Sequence, residues 1–188
     1  MGQSYLPGWI IDAGTVLGII AFIMALPTFL QMKYGLPKIL VKFEDDILTQ
    51  SRFLVCRVRN QPLTSGFLAK CGVTRSPVLD LTARLTISER GTGRILVNDH
   101  PIFIKTAGGV GSTRIELPAS TMGVEFCVVG SMLAGDTPGQ STIILKNQFP
   151  VIPNGFYEAR IRLSVDGKHQ TYERGFEVKS EAPYTEWL

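Results

Sequence analysis

YEARIRLSVDGKHQTYERGFEV, residues 157–178, is the stretch on which the fold turns. Tyr157, Ala159, Ile161, Leu163 and Val165 alternate with Glu158, Arg160, Arg162 and Ser164. A period of two puts the first set on one face of a strand and the second on the other, one dry and one wet. Asp166-Gly167 follows, a dipeptide suited to the positive φ angles of a type I′ turn, and residues 168–178 return as the partner strand. The stretch reads as a β-hairpin with one buried face.

Upstream, Leu79, Leu81, Ala83, Leu85 and Ile87 alternate with Asp80, Thr82, Arg84 and Thr86 in the same way. Further strands are expected at 39–43, 52–59, 94–97, 101–105, 113–117, 124–130 and 141–146. Turns are expected at Gly91-Thr92-Gly93, at Asn98-Asp99, and at Gly135-Asp136 with Pro138-Gly139. Beyond Lys38 no stretch holds a helical apolar period over three turns. About seven to nine short strands predict a mainly β domain over 39–179, a two-sheet sandwich of immunoglobulin-like type, with a small barrel as second choice. The Cys…Trp…Cys pattern of antibody domains is absent, since Trp187 is the only Trp outside the N-terminal region. Residues 60–77 break the strand rhythm and read as a long connection with a short element near Phe67 to Cys71. The tail over 180–188 carries Pro183, Tyr184 and Trp187 and is expected to pack back on its own domain.

Before the domain lies AGTVLGIIAFIMALPTFLQM, Ala13 to Met32, without a charge. At 1.5 Å per residue it spans about 30 Å, the thickness of a bilayer's hydrocarbon core. It is too long for a secretory signal, and no basic residue precedes it. The expected layout is a short tail over 1–8, a transmembrane helix over 9–32, a juxtamembrane linker over 33–38, and the β-domain. Pro27 is expected to kink the helix. Gly14 and Gly18 form a G-x-x-x-G pair, which allows homo-oligomer contact through the span. Lys33, Lys38 and Lys42 flank the span on its C-terminal side only, so the β-domain is expected in the cytoplasm by the positive-inside rule, with the extracytoplasmic side as the alternative.

Charge and motifs narrow the chemistry. The chain carries a net charge of +3, too balanced for nucleic acid, which calls for a dense basic patch. His100 and His169 are the only histidines, and neither belongs to a nucleophile motif. No metal-ligand spacing occurs, and the glycine-rich run from Gly108 to Thr113 lacks the Lys of a phosphate loop. No catalytic, cofactor-binding or metal residue is therefore assigned. Cys56, Cys71 and Cys127 are odd in number and irregular in spacing, which favours buried thiols, with a Cys56–Cys127 bridge across two sheets as the rival. The acidic run Glu44-Asp45-Asp46 reads as a solvated strand end. Arg57, Arg59, Arg160 and Arg162 fall on polar strand faces, and they would form one basic partner surface if their strands were neighbours.

These features predict a single-pass membrane-anchored interaction or scaffolding module with a bilayer and a protein as partners. The layout resembles that of pilin-like subunits, in which an N-terminal hydrophobic helix joins a β-rich head, and Gly8 before Trp9-Ile10-Ile11-Asp12 is similar to a prepilin processing site. That resemblance implies a filament or secretion-system subunit with Trp9 as its first mature residue. The chain departs from the pattern in having no basic residue before Gly8, and Ala13 where Glu is usual. An enzyme with an unrecognised site is a third and minor reading.

Overall fold

The structure, a computed structural model, describes residues 8–48, 51–102, 104–106, 109–110, 114–132, 140–145, 148–182 and 184–188. The elements in chain order are α1 (Gly8–Tyr34), β1 (Ile39–Leu48), β2 (Ser51–Asn60), α2 (Gly66–Lys70), β3 (Val78–Glu89), β4 (Ile95–Pro101), β5 (Ile104–Thr106), β6 (Gly109–Val110), β7 (Arg114–Leu117), β8 (Val124–Met132), β9 (Ser141–Ile143), β10 (Gly155–Val165), β11 (Lys168–Val178) and β12 (Thr185–Trp187). The expected hairpin is β10 and β11, paired from Gly155↔Val178 to Val165↔Lys168. Asp166 and Gly167 take φ of 47° and 80°, as a type I′ turn requires. The Asp166 carboxylate also accepts the N–H groups of Leu79 and Asp80 at 3.0 and 2.9 Å, so this turn fixes the start of β3.

Two antiparallel sheets result. The first has the order β1-β2-β8-β5-β6 with β9 on β8; the second has β12-β11-β10-β3-β4 with β7 on β3. They share one apolar core. Leu54, Cys56, Val58, Phe126 and Val128 come from the first sheet, and Leu81, Leu85, Ile87, Ile161, Leu163 and Phe176 from the second. Burying each large apolar side chain contributes about 1.5–3 kcal/mol before chain entropy is set against it.

Twelve strands stand among the described residues, and the two that match no expected strand, β6 and β12, are only two and three residues long. Alternation puts Leu79 on the dry face, yet it is 62% exposed. The ladder shifts between Val78 and Leu81, which turns Val78 inward in its place. A second shift, between Leu54 and Val55, leaves Val128 as an extra residue on β8. The expected turn at 135–139 and most of the 108–113 run lie outside the described residues.

Residues Thr185–Trp187 of the C-terminal tail form a strand. β12 pairs with the end of β11, and Trp187 meets Phe43 and Phe176 at ring-centroid distances of 4.9 and 5.9 Å. The Trp187 indole N–H donates to the Glu44 carbonyl at 3.1 Å, and the Thr185 hydroxyl lies 3.0 Å from that of buried Ser131. These contacts fasten β12 to the first sheet as well as the second.

Residues 38–61 and 77–188 form one compact unit, and the described part of residues 1–37 forms another with residues 62–76. In the latter, α1 runs through Pro27 to Tyr34, two residues beyond the expected end. It is long and apolar enough to cross a membrane over Ala13–Tyr34. Nothing lies within 4 Å of a Cβ built on Gly14 or Gly18. The short element expected near Phe67 is α2.

Candidate functional site

The four arginines separate into two pairs. Arg57 and Arg59 lie on β2 in the first sheet, and Arg160 and Arg162 on β10 in the second. Their strands are not neighbours, so no single basic surface forms. Carboxylates also engage three of them. Arg57 sits between Glu44 and Glu125, donating from Nε to Glu125 at 3.0 Å. Arg160 meets Glu173 and Glu158, and Arg162 donates to Asp99 at 2.8 Å. Arg59 donates to the Thr121 carbonyl at 3.3 Å. The Glu125 hydrogen bond, foremost, holds the Arg57 guanidinium above its ordinary pKa against the opposing effect of burial. Such half-exposed pairs contribute about 0–1 kcal/mol each, but they cancel the positive field of the sheet faces.

The acidic run at 44–46 is absorbed in the same way: Glu44 pairs with Arg57 and Asp45 with Arg52. Lys33 lies at the end of α1 with its Nζ 5.5 Å from the Tyr34 ring centroid. Lys38 and Lys42 are exposed at the start of the β-domain. His100 on β4 and His169 on β11 are separated by β3 and β10. Among the described residues, no three His, Cys, Asp or Glu side chains form a metal-ligand group.

The cysteine alternatives are resolved by register. Cys56 stands opposite Phe126, and Cys127 opposite Val55, on adjacent strands of one sheet. Consecutive residues point to opposite faces, so the two thiols look away from each other and no bridge spans the sheets. All three cysteines are thiols. Burial pushes the Cys56 thiol up to about 12.

A concave site lined by described residues of the β-domain lies elsewhere. A cleft of about 360 Å³ is lined by Glu89, Arg94, Leu96, Ile143, Val151 and Tyr157, with Pro150, Pro153 and Asn154 completing the wall. Its position follows from the ladders. β1 begins at Ile39 opposite Asn60, and Asn60 binds the Leu117 carbonyl, itself opposite Val78. Tyr157 and Glu89 pair at the other end of β3. The chain thus enters the β-domain at one end, and the cleft opens at the other.

The cleft is built on Tyr157. Its ring is buried against Phe176, centroids 5.4 Å apart, and its hydroxyl donates to the Pro153 carbonyl at 2.9 Å. That bond pins residues 150–154 beside the start of β10. Burial, then the Glu89 charge, raises the Tyr157 pKa, while Arg94 opposes them. Opposite charges therefore face apolar walls. Ile95, Phe149, Val151 and Phe156, from the same segments, are more than half exposed. Sequence reasoning missed this site because its residues come from three separated segments. The available signal was Ile152-Pro153-Asn154-Gly155, a turn placed just before a strand that carries Tyr157.

No protein-family model, no curated protein and no solved structure matches this chain.

Proposed function

We propose that this protein is a single-pass, membrane-anchored immunoglobulin-like module that binds a protein partner at the cleft end of its β-domain, on the cytoplasmic side. Two features support the immunoglobulin-like reading. Taken in chain order, β1, β2, β3, β4, β5, β8, β10 and β11 correspond to strands A, B, C, C′, D, E, F and G. The orders β1-β2-β8-β5 and β11-β10-β3-β4 are then A-B-E-D and G-F-C-C′. Tyr157, near the start of the F-like strand, makes the hydroxyl-to-backbone bond of a tyrosine corner. Two residues on, where antibody domains place their second cysteine, stands buried Ala159. Such a domain holds together by packing rather than by an inter-sheet bridge.

The observation that carries the binding site is the concentration of exposed apolar side chains. Of nine large exposed hydrophobics described in the β-domain, four (Ile95, Phe149, Val151 and Phe156) come from the segments that form the cleft. Elsewhere Arg57, Arg160 and Arg162 on the sheet faces are paired with carboxylates. Val151 lines the cleft beside one acidic and one basic group, and exposed Phe149 stands two positions before it, an arrangement that fits a partner segment with an apolar anchor. The lysines flanking α1 support the cytoplasmic placement.

A photo-crosslinking residue at Phe149 or Val151, in cells, tests the site. One discrete adduct is expected from these positions, with none from Arg162 on the open sheet face. Equal adducts from all three positions, or adducts only from Arg162, would exclude the cleft. Protease access to a C-terminal tag tests the side: protection in intact cells, lost on permeabilisation, is expected.

A further inference from the structure

Residues 62–76, PLTSGFLAKCGVTRS, contain no acidic side chain; their charges are Lys70 and Arg75. The segment belongs to one compact unit with α1, and defined bonds hold it there. The Gln31 side-chain amide donates to the Thr74 carbonyl at 2.8 Å and accepts the Thr74 N–H at 2.9 Å. Arg75 Nη1 donates to the Leu36 carbonyl at 2.7 Å, and the Ser76 N–H to the Gly35 carbonyl at 2.6 Å. Gly35 permits this approach, because a Cβ there would overlap the amide and carbonyl of Gln31. A glutamine amide that both donates to and accepts from one residue's backbone copies a strand pairing. It fixes Thr74 at the height of Gln31 along the helix.

With α1 read as a membrane span, that height falls at the edge of the bilayer. The apolar span of 22 residues, Ala13–Tyr34, is about 33 Å long against a hydrocarbon core of about 30 Å. Gln31 lies three residues, or about 4.5 Å, before the end of α1. Next to it stand Lys33 and Tyr34, residue types enriched where hydrocarbon gives way to headgroups. On the clasped segment, α2 has no buried residue, Phe67 is 68% exposed, and Lys70 is exposed three positions later on the same face. An apolar ring beside a basic group, joined to the clasp through the Val73 N–H bond to the Leu68 carbonyl at 3.0 Å and free of acidic neighbours in its own segment, matches an anionic headgroup layer.

We propose that residues 62–76 are a second membrane contact: an interfacial loop whose Phe67 enters the headgroup–acyl boundary while Lys70, with Lys33, meets anionic lipid headgroups. This rests on the reading of α1 as a membrane span. The test places the full chain in phosphatidylcholine vesicles containing phosphatidylserine, with bromine at known depths on the phosphatidylcholine chains. Two chains are compared in a Trp9→Phe background, one with Phe67→Trp and one with Phe22→Trp; Trp187 is common to both. The Phe22→Trp chain should be quenched most by deep bromines. The Phe67→Trp chain should be quenched at least twofold more than the Trp9→Phe parent by shallow bromines, and it should be shielded from aqueous iodide. Quenching of the Phe22→Trp chain alone, with the Phe67→Trp chain open to iodide, would overturn the loop contact and leave the span standing. No quenching of either would overturn the span, and the loop contact with it.

Discussion

Tyr157 ties the sequence to the site through one oxygen. Its hydroxyl gives the Pro153 carbonyl a donor, so Tyr157→Phe removes a bond and leaves an acceptor partly shielded from water. The variant should lose about 1–3 kcal/mol in urea unfolding of the full chain in detergent. Tyr172→Phe is the comparison: that hydroxyl donates to the exposed Gln170 side chain, and its loss should stay within about 0.5 kcal/mol. The cysteines give a second residue-scale outcome. Cys56 and Cys127 are buried and Cys71 is partly open, so one thiol should react quickly with a thiol reagent in detergent and two more only on unfolding. Three fast thiols would contradict the burial. The polar-face placement of the arginines was legible in their alternation. Their partners were not, because Glu125 and Arg57 are 68 positions apart and meet only through strand pairing.

Among the elements, β12 depends on charge as well as packing. Lys179 binds Glu186 at 2.9 Å and Glu177 at 3.3 Å. The Lys179 hydrogen bond, first, and its charge lower the Glu186 pKa below its ordinary 4.5. A lowered carboxylate pKa stabilises the fold above the unfolded value and ceases to do so as pH falls through the folded one. Lys179, raised above 10.5 chiefly by its bond to Glu186, contributes below its unfolded value and loses that as pH rises through the folded one. The strap should therefore hold between these limits and loosen on acidification below about 4.5, read as a red shift of Trp187 emission in a Trp9→Phe chain. Glu186→Gln should flatten that acid limb. A shift of equal size in the variant would assign it to other groups. The tail's return to its domain was legible from its aromatic residues, whereas its role as an edge strand reaching both sheets was not. In β3 the alternation correctly gave Leu81, Ala83, Leu85 and Ile87 as core. Leu85→Asp should leave the chain unfolded, since the carboxylate would enter the core with no partner.

For the whole molecule, the two compact units predict how the chain fails when cut. Removing residues 1–37 deletes the Gln31 side chain and the Gly35 and Leu36 carbonyls that hold 74–76. The β-domain should remain folded, with Trp187 still half-buried, while residues 62–76 become the first site of limited proteolysis. Cleavage spread through β3 or β10 instead would show that the helix supports the sheets.

The sequence by itself determined the local elements: an uncharged run long enough for a membrane span, a β-hairpin about Asp166-Gly167, and a dry face on β3. Each rests on periodicity, chain length or turn chemistry, which act between near neighbours. Only the tertiary structure decided the rest. Strand order separated Arg57 from Arg160, register turned Cys56 away from Cys127, and ladder shifts exposed Leu79. The cleft at Tyr157 and the Gln31–Thr74 clasp arise between segments far apart in the chain. Their partners are chosen by which strand lies beside which and by one-residue shifts in pairing, and no periodicity along a single stretch records those choices.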